Sequence, residues 1–214
     1  MTDKAEATRL FLVTPPLVDL DAFPARLAQA LAAAEIAAVL IAPGPRQAAD
    51  EAAGRLVPIV QHAGAAALIA DDTRIAGRVG ADGVHIATGI GDLRNAVDSF
   101  RGSRTVGAGN IHSRHTAMEA GELDVDYVFF GRPHGDTHDS AHGRVLDLAQ
   151  WWSELMEIPA VMMAGRSLDS VAEAAATGAA FVALHDAVWS HAGGPGEAVR
   201  RAAAALNESG RRAA

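Results

Sequence analysis

The chain contains no cysteine. Disulfides, thiolate zinc sites and cysteine nucleophiles are therefore excluded. Positive charge is also scarce: 18 Lys and Arg stand against 26 Asp and Glu, for a formal net charge of −8. A nucleic-acid-binding or membrane-surface face calls for the opposite balance, while a local pocket for a small anion stays compatible with it. No apolar run is long enough to span a bilayer. The opening stretch MTDKAEATRL is too polar for a secretory signal, so a soluble cytoplasmic protein is the expectation. Also missing is the glycine fingerprint of a dinucleotide-binding fold, since the first apolar run ends in Thr14-Pro15-Pro16.

What is present is a rhythm. Half of the 214 residues are apolar, enough for one substantial core. Short apolar runs alternate with amphipathic stretches. RLFLVTP (9–15) reads as a buried strand, and Leu20, Phe23, Leu27 and Leu31 then recur at helical spacing within 19–34. The pattern repeats: AAVLIAPG before a helix at 46–62, with Pro58 near its end; AALIADD before 73–79; GVHIA before 93–100; RTVGAGN before a helix capped by Ser113 and reaching 122. DYVFFG precedes a long polar loop and a helix at 146–157; IPAVMMAG precedes a helix capped by Ser167 and reaching 177; AFVALHD precedes a last helix at 196–209. Eight strand–helix units with continuously apolar strands predict an α/β fold, a single-domain (β/α)8 TIM barrel over residues 1–214. An open doubly wound sheet is the alternative, disfavoured by the number of units and the missing fingerprint. In a barrel the chemistry sits where strands end. Those ends are polar here: Asp71-Asp72, Asn110 to His112, Gly131 to His142, Gly165-Arg166 and His185-Asp186.

The landmarks RLFLVTP, LIADD, GADGVHI, DYVFFG, IPAVMMAG and GAAFVALHDAV, in this order, resemble those of thiamine phosphate synthase and its thiazole-tautomerase relatives. The resemblance covers nearly the whole chain. It implies a magnesium-dependent transferase that joins a pyrimidine pyrophosphate to a thiazole phosphate and releases pyrophosphate, a reaction carried by positioning and charge stabilisation. It implies His112, Thr137 and His138 as catalytic positions. Asn110, Arg132, Gly165, Arg166, His185 and Asp186 would contact a phosphorylated small-molecule substrate, and Asp71 and Asp92 would hold Mg2+. Asp71-Asp72 reads equally as a helix cap before Thr73.

The chain departs from the family pattern in places that matter chemically. The family's second strand presents Gln, Arg and Lys to the pyrophosphate, where this sequence has Leu40, Ala42 and Gly44; Arg46 lies just beyond. The family's flap ends in lysine, whereas here Thr137 is followed by His138 and Asp139. The phosphate cup ends the seventh strand in Ala164-Gly165 rather than Gly-Gly, and Asp186 replaces a serine, which brings a carboxylate towards a phosphate. A non-catalytic or regulatory relative with a small-anion pocket therefore stands beside the enzyme reading.

The loop GRPHGDTHDSAHGR (131–144) offers a third reading. His134, His138 and His142 are spaced four apart, and a metal-assisted enzyme would use them as ligands, joined by His112 or His185. Against this, Gly135, Gly143 and the interspersed Asp and Ser argue for a loop rather than one helix face, and the spacing matches no zinc-hydrolase motif. A mobile, solvated lid, cut first by protease between Arg132 and Arg144, is therefore the expectation for this loop. His85 alternates into the barrel interior as a hydrogen-bonded core residue. Trp151, Trp152 and Trp189 suggest an interface between copies, a possible homodimer, or packing within one chain.

Overall fold

A computed structural model describes residues 7–42 and 46–213, without the side chains of 46–48, 212 and 213. Gly44 and the side chain of Arg46 thus lie outside the described residues. The strands are β1 (Arg9–Val13), β2 (Ile36–Ile41), β3 (Ala66–Ala70), β4 (Gly83–Ile86), β5 (Thr105–Ile111), β6 (Tyr127–Phe130), β7 (Ala160–Met163) and β8 (Phe181–Leu184). They pair in parallel in sequence order, and β8 returns to β1 to close the barrel. The helices are α1 (Phe23–Leu31), α2 (Arg46–His62), α3 (Thr73–Val79), α4 (Ile90–Phe100), α5 (Arg114–Gly121), α6 (Gly143–Leu155), α7 (Ser170–Ala175), α8 (Asp186–Trp189) and α9 (Pro195–Ala213). The (β/α)8 barrel expected from the alternating runs is the observed fold.

Alternation along each strand separates two cores. Outward residues such as Leu10, Leu12, Val39, Ile41 and Val84 join the helices in the larger core. Inward residues fill the barrel: Phe11, Val13, Leu40, Leu68, Tyr127, Phe129, Val161 and Met163, with Phe11 edge-on to both Tyr127 and Phe129. The turns before β4 and β6 each carry an aspartate that ties two strands together. Asp82 accepts the Ala67 amide at 2.7 Å, and Asp126 accepts the Val106 amide.

Several boundaries differ from the sequence reading for local reasons. Helix α1 begins at Phe23 rather than 19, with proline in its first turn, where the missing N–H is harmless. Pro58 lies inside α2 without ending it. Ser113 caps α5 in a full capping box with Thr116. Ser167 does not cap α7, which starts three residues later after Asp169; the Ser167 carbonyl instead accepts the Ser170 hydroxyl at 2.6 Å. The short α8 and its separation from α9 were not foreseen. Trp152 and Trp189 are buried, donating through Nε1 to the Ile158 and Val13 carbonyls. The Arg114 guanidinium lies over Trp151, 4.9 Å from the ring centroid. The tryptophans are thus engaged within one chain.

Glycine shapes the interior at one row of the barrel. His85, Gly107 and Tyr127 are register partners across β4, β5 and β6. A Cβ on Gly107 would fall inside the Tyr127 ring. The bare backbone lets the tyrosine lean across β5, so that its hydroxyl reaches His85 Nδ1 at 3.0 Å. Gly107→Ala is expected to destabilise the fold by about 2 kcal/mol through overpacking, measured as a lowered urea midpoint; unchanged stability would mean that the ring moves freely.

Candidate functional site

The barrel mouth is built from the strand ends and from the 131–142 loop, which links β6 to α6 and leans over β7, β8 and β1. Asp136 anchors it. This aspartate is buried and accepts two hydrogen bonds, from His185 Nδ1 at 3.0 Å and from the Asp186 amide at 2.6 Å. Burial alone would raise its pKa, but the bonds from His185 and the Asp186 amide together hold the carboxyl below its ordinary value. Further along, the His138 carbonyl accepts the Arg166 amide at 2.7 Å and the Asp139 carbonyl accepts the Ser167 amide at 3.1 Å. The Arg166 guanidinium meets the Asp139 carboxylate at 3.3 Å. Gly165 is required here, because a Cβ would overlap the Asp139 carbonyl, and its own amide donates to Ser170 Oγ. The amides of Gly165, Arg166 and Ser167 after β7 and of Asp186 after β8 are therefore engaged by the protein itself. Asp136 and the His138 and Asp139 carbonyls tie the loop to the ends of β7 and β8, while most of its side chains stay exposed, as its composition leads one to expect.

The three loop histidines do not converge. His134 Nε2 bonds the Thr14 carbonyl at 3.1 Å, and its ring stands edge-on to His185 with centroids 4.8 Å apart. Partial desolvation and the charge of His185 lower the His134 pKa, against the raising effect of the Thr14 carbonyl and Asp136, although the residue as a whole is exposed. His138 and His142 are exposed. Among the described residues no cluster of three or more His, Asp or Glu could hold a metal ion.

The other candidates separate into neighbourhoods. Asp71 stands at the end of β3 with φ of 56°, accepting the Ala87 amide at 2.6 Å. Desolvation raises its pKa against the lowering effect of bonds from the Ala87 and Thr88 amides, and the charge of Asp92 adds to the rise. Asp92 lies in the first turn of α4, exposed. Asp72, not Asp71, caps α3, accepting the Arg74 and Ile75 amides. Asn110, with φ of 58°, is exposed on β5, and its carbonyl meets His112 Nδ1 at 3.0 Å. Arg132, Thr137 and Arg166 are exposed. The Asp186 carboxylate accepts the Ser190 hydroxyl one turn along. The carboxylate on the backbone amide of β8's end is thus Asp136's rather than Asp186's. Leu40 on β2 and Ala42 just past its end are buried in the interior cluster, so the inward positions at the mouth are apolar there.

A closed barrel of eight parallel strands alternating with helices is a TIM barrel, with polar groups at the C-terminal strand ends where sites of this fold lie. The thiamine monophosphate synthase family pattern matches residues 10–188, and the chain belongs to that family. It is 37% identical over 197 residues to a thiamine-phosphate synthase of Rhodospirillum centenum, covering 89% of this chain and 94% of that protein. A thiamine-phosphate synthase of Hyphomonas neptunium is 34% identical over 213 residues, covering 94% and 96%. In fold, the chain is similar to a thiamine phosphate pyrophosphorylase from Pyrococcus furiosus, with a TM-score of 0.77 at 21% identity over 96% of this chain and 98% of that one. Among the described residues no helix is long and apolar enough to cross a membrane.

Proposed function

We propose that this chain is a non-transferring relative within the thiamine monophosphate synthase family. It keeps the barrel and a small-molecule pocket and does not join a pyrimidine pyrophosphate to a thiazole phosphate at an appreciable rate. One observation carries the reading. The Asp136 carboxylate sits on the Asp186 amide and the His185 imidazole, donors suited to an anion at the end of β8. An incoming phosphate would have to displace a bonded carboxylate and then face it as a like charge. The apolar Leu40 and Ala42 add to this, because pyrophosphate departure needs cations aimed at developing charge. The test is a pyrophosphate-release assay with hydroxymethylpyrimidine pyrophosphate, thiazole phosphate and magnesium. No turnover above background is expected, and brisk turnover would overthrow the proposal.

A second reading, transferase activity with rebuilt contacts, is favoured by the names of the two relatives that align over nearly their full lengths. In that case Asp71 and Asp92 would hold Mg2+, which binds through one or two carboxylates with substrate phosphates completing its shell. Their mutual repulsion fits such an ion. The metal would neutralise charge on the leaving pyrophosphate, and Arg132 or Arg166 would close over the substrate. The same assay decides: turnover abolished by both chelation and Asp71→Asn would establish this reading.

A further inference from the structure

A cavity of about 450 Å3 lies among the turn that leads into α7, the short α8 and Arg201 of α9. The 131–142 loop reaches this region only through the backbone amides of Arg166, Ser167 and Asp186, whereas the cavity extends over Ser190, His191 and Arg201.

His191 has two donors and too few acceptors. Its Nδ1 lies 3.0 Å from the Gly193 amide, and its Nε2 lies 3.3 Å from Nη1 of Arg201. Neither an amide N–H nor a guanidinium can accept, and a neutral imidazole has only one acceptor nitrogen. The Gly193 amide is fixed by the chain two residues away, so it keeps Nδ1, and the ring proton sits on Nε2. The Arg201 guanidinium then meets an N–H. Among the described residues Arg201 makes no salt bridge; its neighbour Arg200 is the one that pairs with Glu197. Two donors thus converge on one point beside the cavity, and a carboxylate can accept from both. The rest of the lining sets a second charge. Arg166 is paired with Asp139. Asp186 accepts the Ser190 hydroxyl, the Asp169 side chain makes no capping bond to α7, and both carboxylates border the cavity. They oppose a phosphate dianion by like-charge repulsion and suit an ammonium. A lining with both signs of charge matches a ligand that carries both.

We infer that this cavity binds a small zwitterion of the α-amino-acid class, its carboxylate between Arg201 and His191 and its ammonium towards Asp169 and Asp186. The inference is independent of whether the family's transfer reaction survives, because Arg201 and His191 belong neither to the Asp136 anchor nor to the candidate transferase residues.

Glycine and acetate share a carboxylate and differ by the ammonium, which makes them suitable probes beside inorganic phosphate. The imidazole signals of His191, followed by heteronuclear NMR of the full chain, should shift saturably with glycine, respond to acetate only at higher concentration, and show no saturable response to phosphate. Arg201→Gln should weaken glycine binding about tenfold, the loss of one partly screened ion pair, with an unchanged urea midpoint. Asp169→Asn should weaken glycine and tighten acetate, because the carboxylate that attracts an ammonium repels a simple anion; a merely structural role would move both in the same direction. The assignment is overturned by acetate or phosphate binding as tightly as glycine, by glycine binding indifferent to Arg201→Gln, by equal responses of glycine and acetate to Asp169→Asn, or by the lack of any saturable shift at His191.

Discussion

Asp136→Ala should release the 131–142 loop from the barrel mouth. The substitution leaves His185 Nδ1 and the Asp186 amide without their shared acceptor. Hydrogen bonds to a charged group contribute roughly 1.5–3 kcal/mol each, so losing the pair should lower the local stability of the loop by about 3 kcal/mol. In hydrogen exchange, the Asp186 amide and the Arg166 and Ser167 amides that donate to the loop's carbonyls should lose protection together, because one anchor holds all three. The loop of the unmodified chain should resist trypsin at Arg132 and Arg144 as long as the barrel stays folded, and the variant should be cut there first. If the two proteins were cleaved at equal rates, the anchor would be unnecessary for docking. The pH dependence has a definite sign. The Asp136 pKa is lowered from 3.8 in the folded protein, so its stabilisation is fully present above that value and is lost as pH falls through the lower folded value. At pH 5 the loop should therefore remain docked.

The same anchor shows what the sequence could and could not disclose. The eight strands were legible because a strand covered on both faces must be apolar throughout, and short runs such as LFLV and YVFF admit few other readings. The Ser113 cap was legible because it is local, a serine three residues before its partner. Asp136 was not legible, because its partners lie 49 and 50 residues away and become neighbours only once the barrel closes. In sequence it is one of several polar residues in a glycine-rich loop, which is also what a solvated lid looks like. The one available signal was that Gly165 follows a buried strand, a place where backbone approaches backbone; it did not say which segment approaches. The evenly spaced histidines pointed the other way. Their spacing would align them on a helix, but residues 131–142 are not helical, and each histidine takes a separate environment. Asp71-Asp72 divided as the two readings allowed: Asp72 took the cap and left Asp71 at the mouth.

His85 gives the expected effect with the clearest sign. It is buried inside the barrel, and burial lowers its pKa from 6.5 to about 4. Above pH 6.5 the ring is neutral in both folded and unfolded chains and contributes no pH dependence. As pH falls from 6.5 towards 4, the unfolded chain takes up a proton that the folded chain refuses, so the folded state loses up to about 3 kcal/mol across that window and nothing further below it. His134, also lowered, chiefly by partial desolvation, acts in the same direction, whereas the raised pKa of Asp71 opposes both. Asp136 does not interfere, since its window lies lower. Urea unfolding followed by circular dichroism at pH 7 and pH 4.5 should therefore show a marked fall in the midpoint. In His85→Gln the side chain still offers Tyr127 a hydrogen-bonding group but cannot titrate. That variant should be less stable at pH 7, yet should lose much less stability between the two pH values. Parallel losses in both proteins would show that His85 is not the group responsible, and that the interior of the barrel admits a charged imidazole.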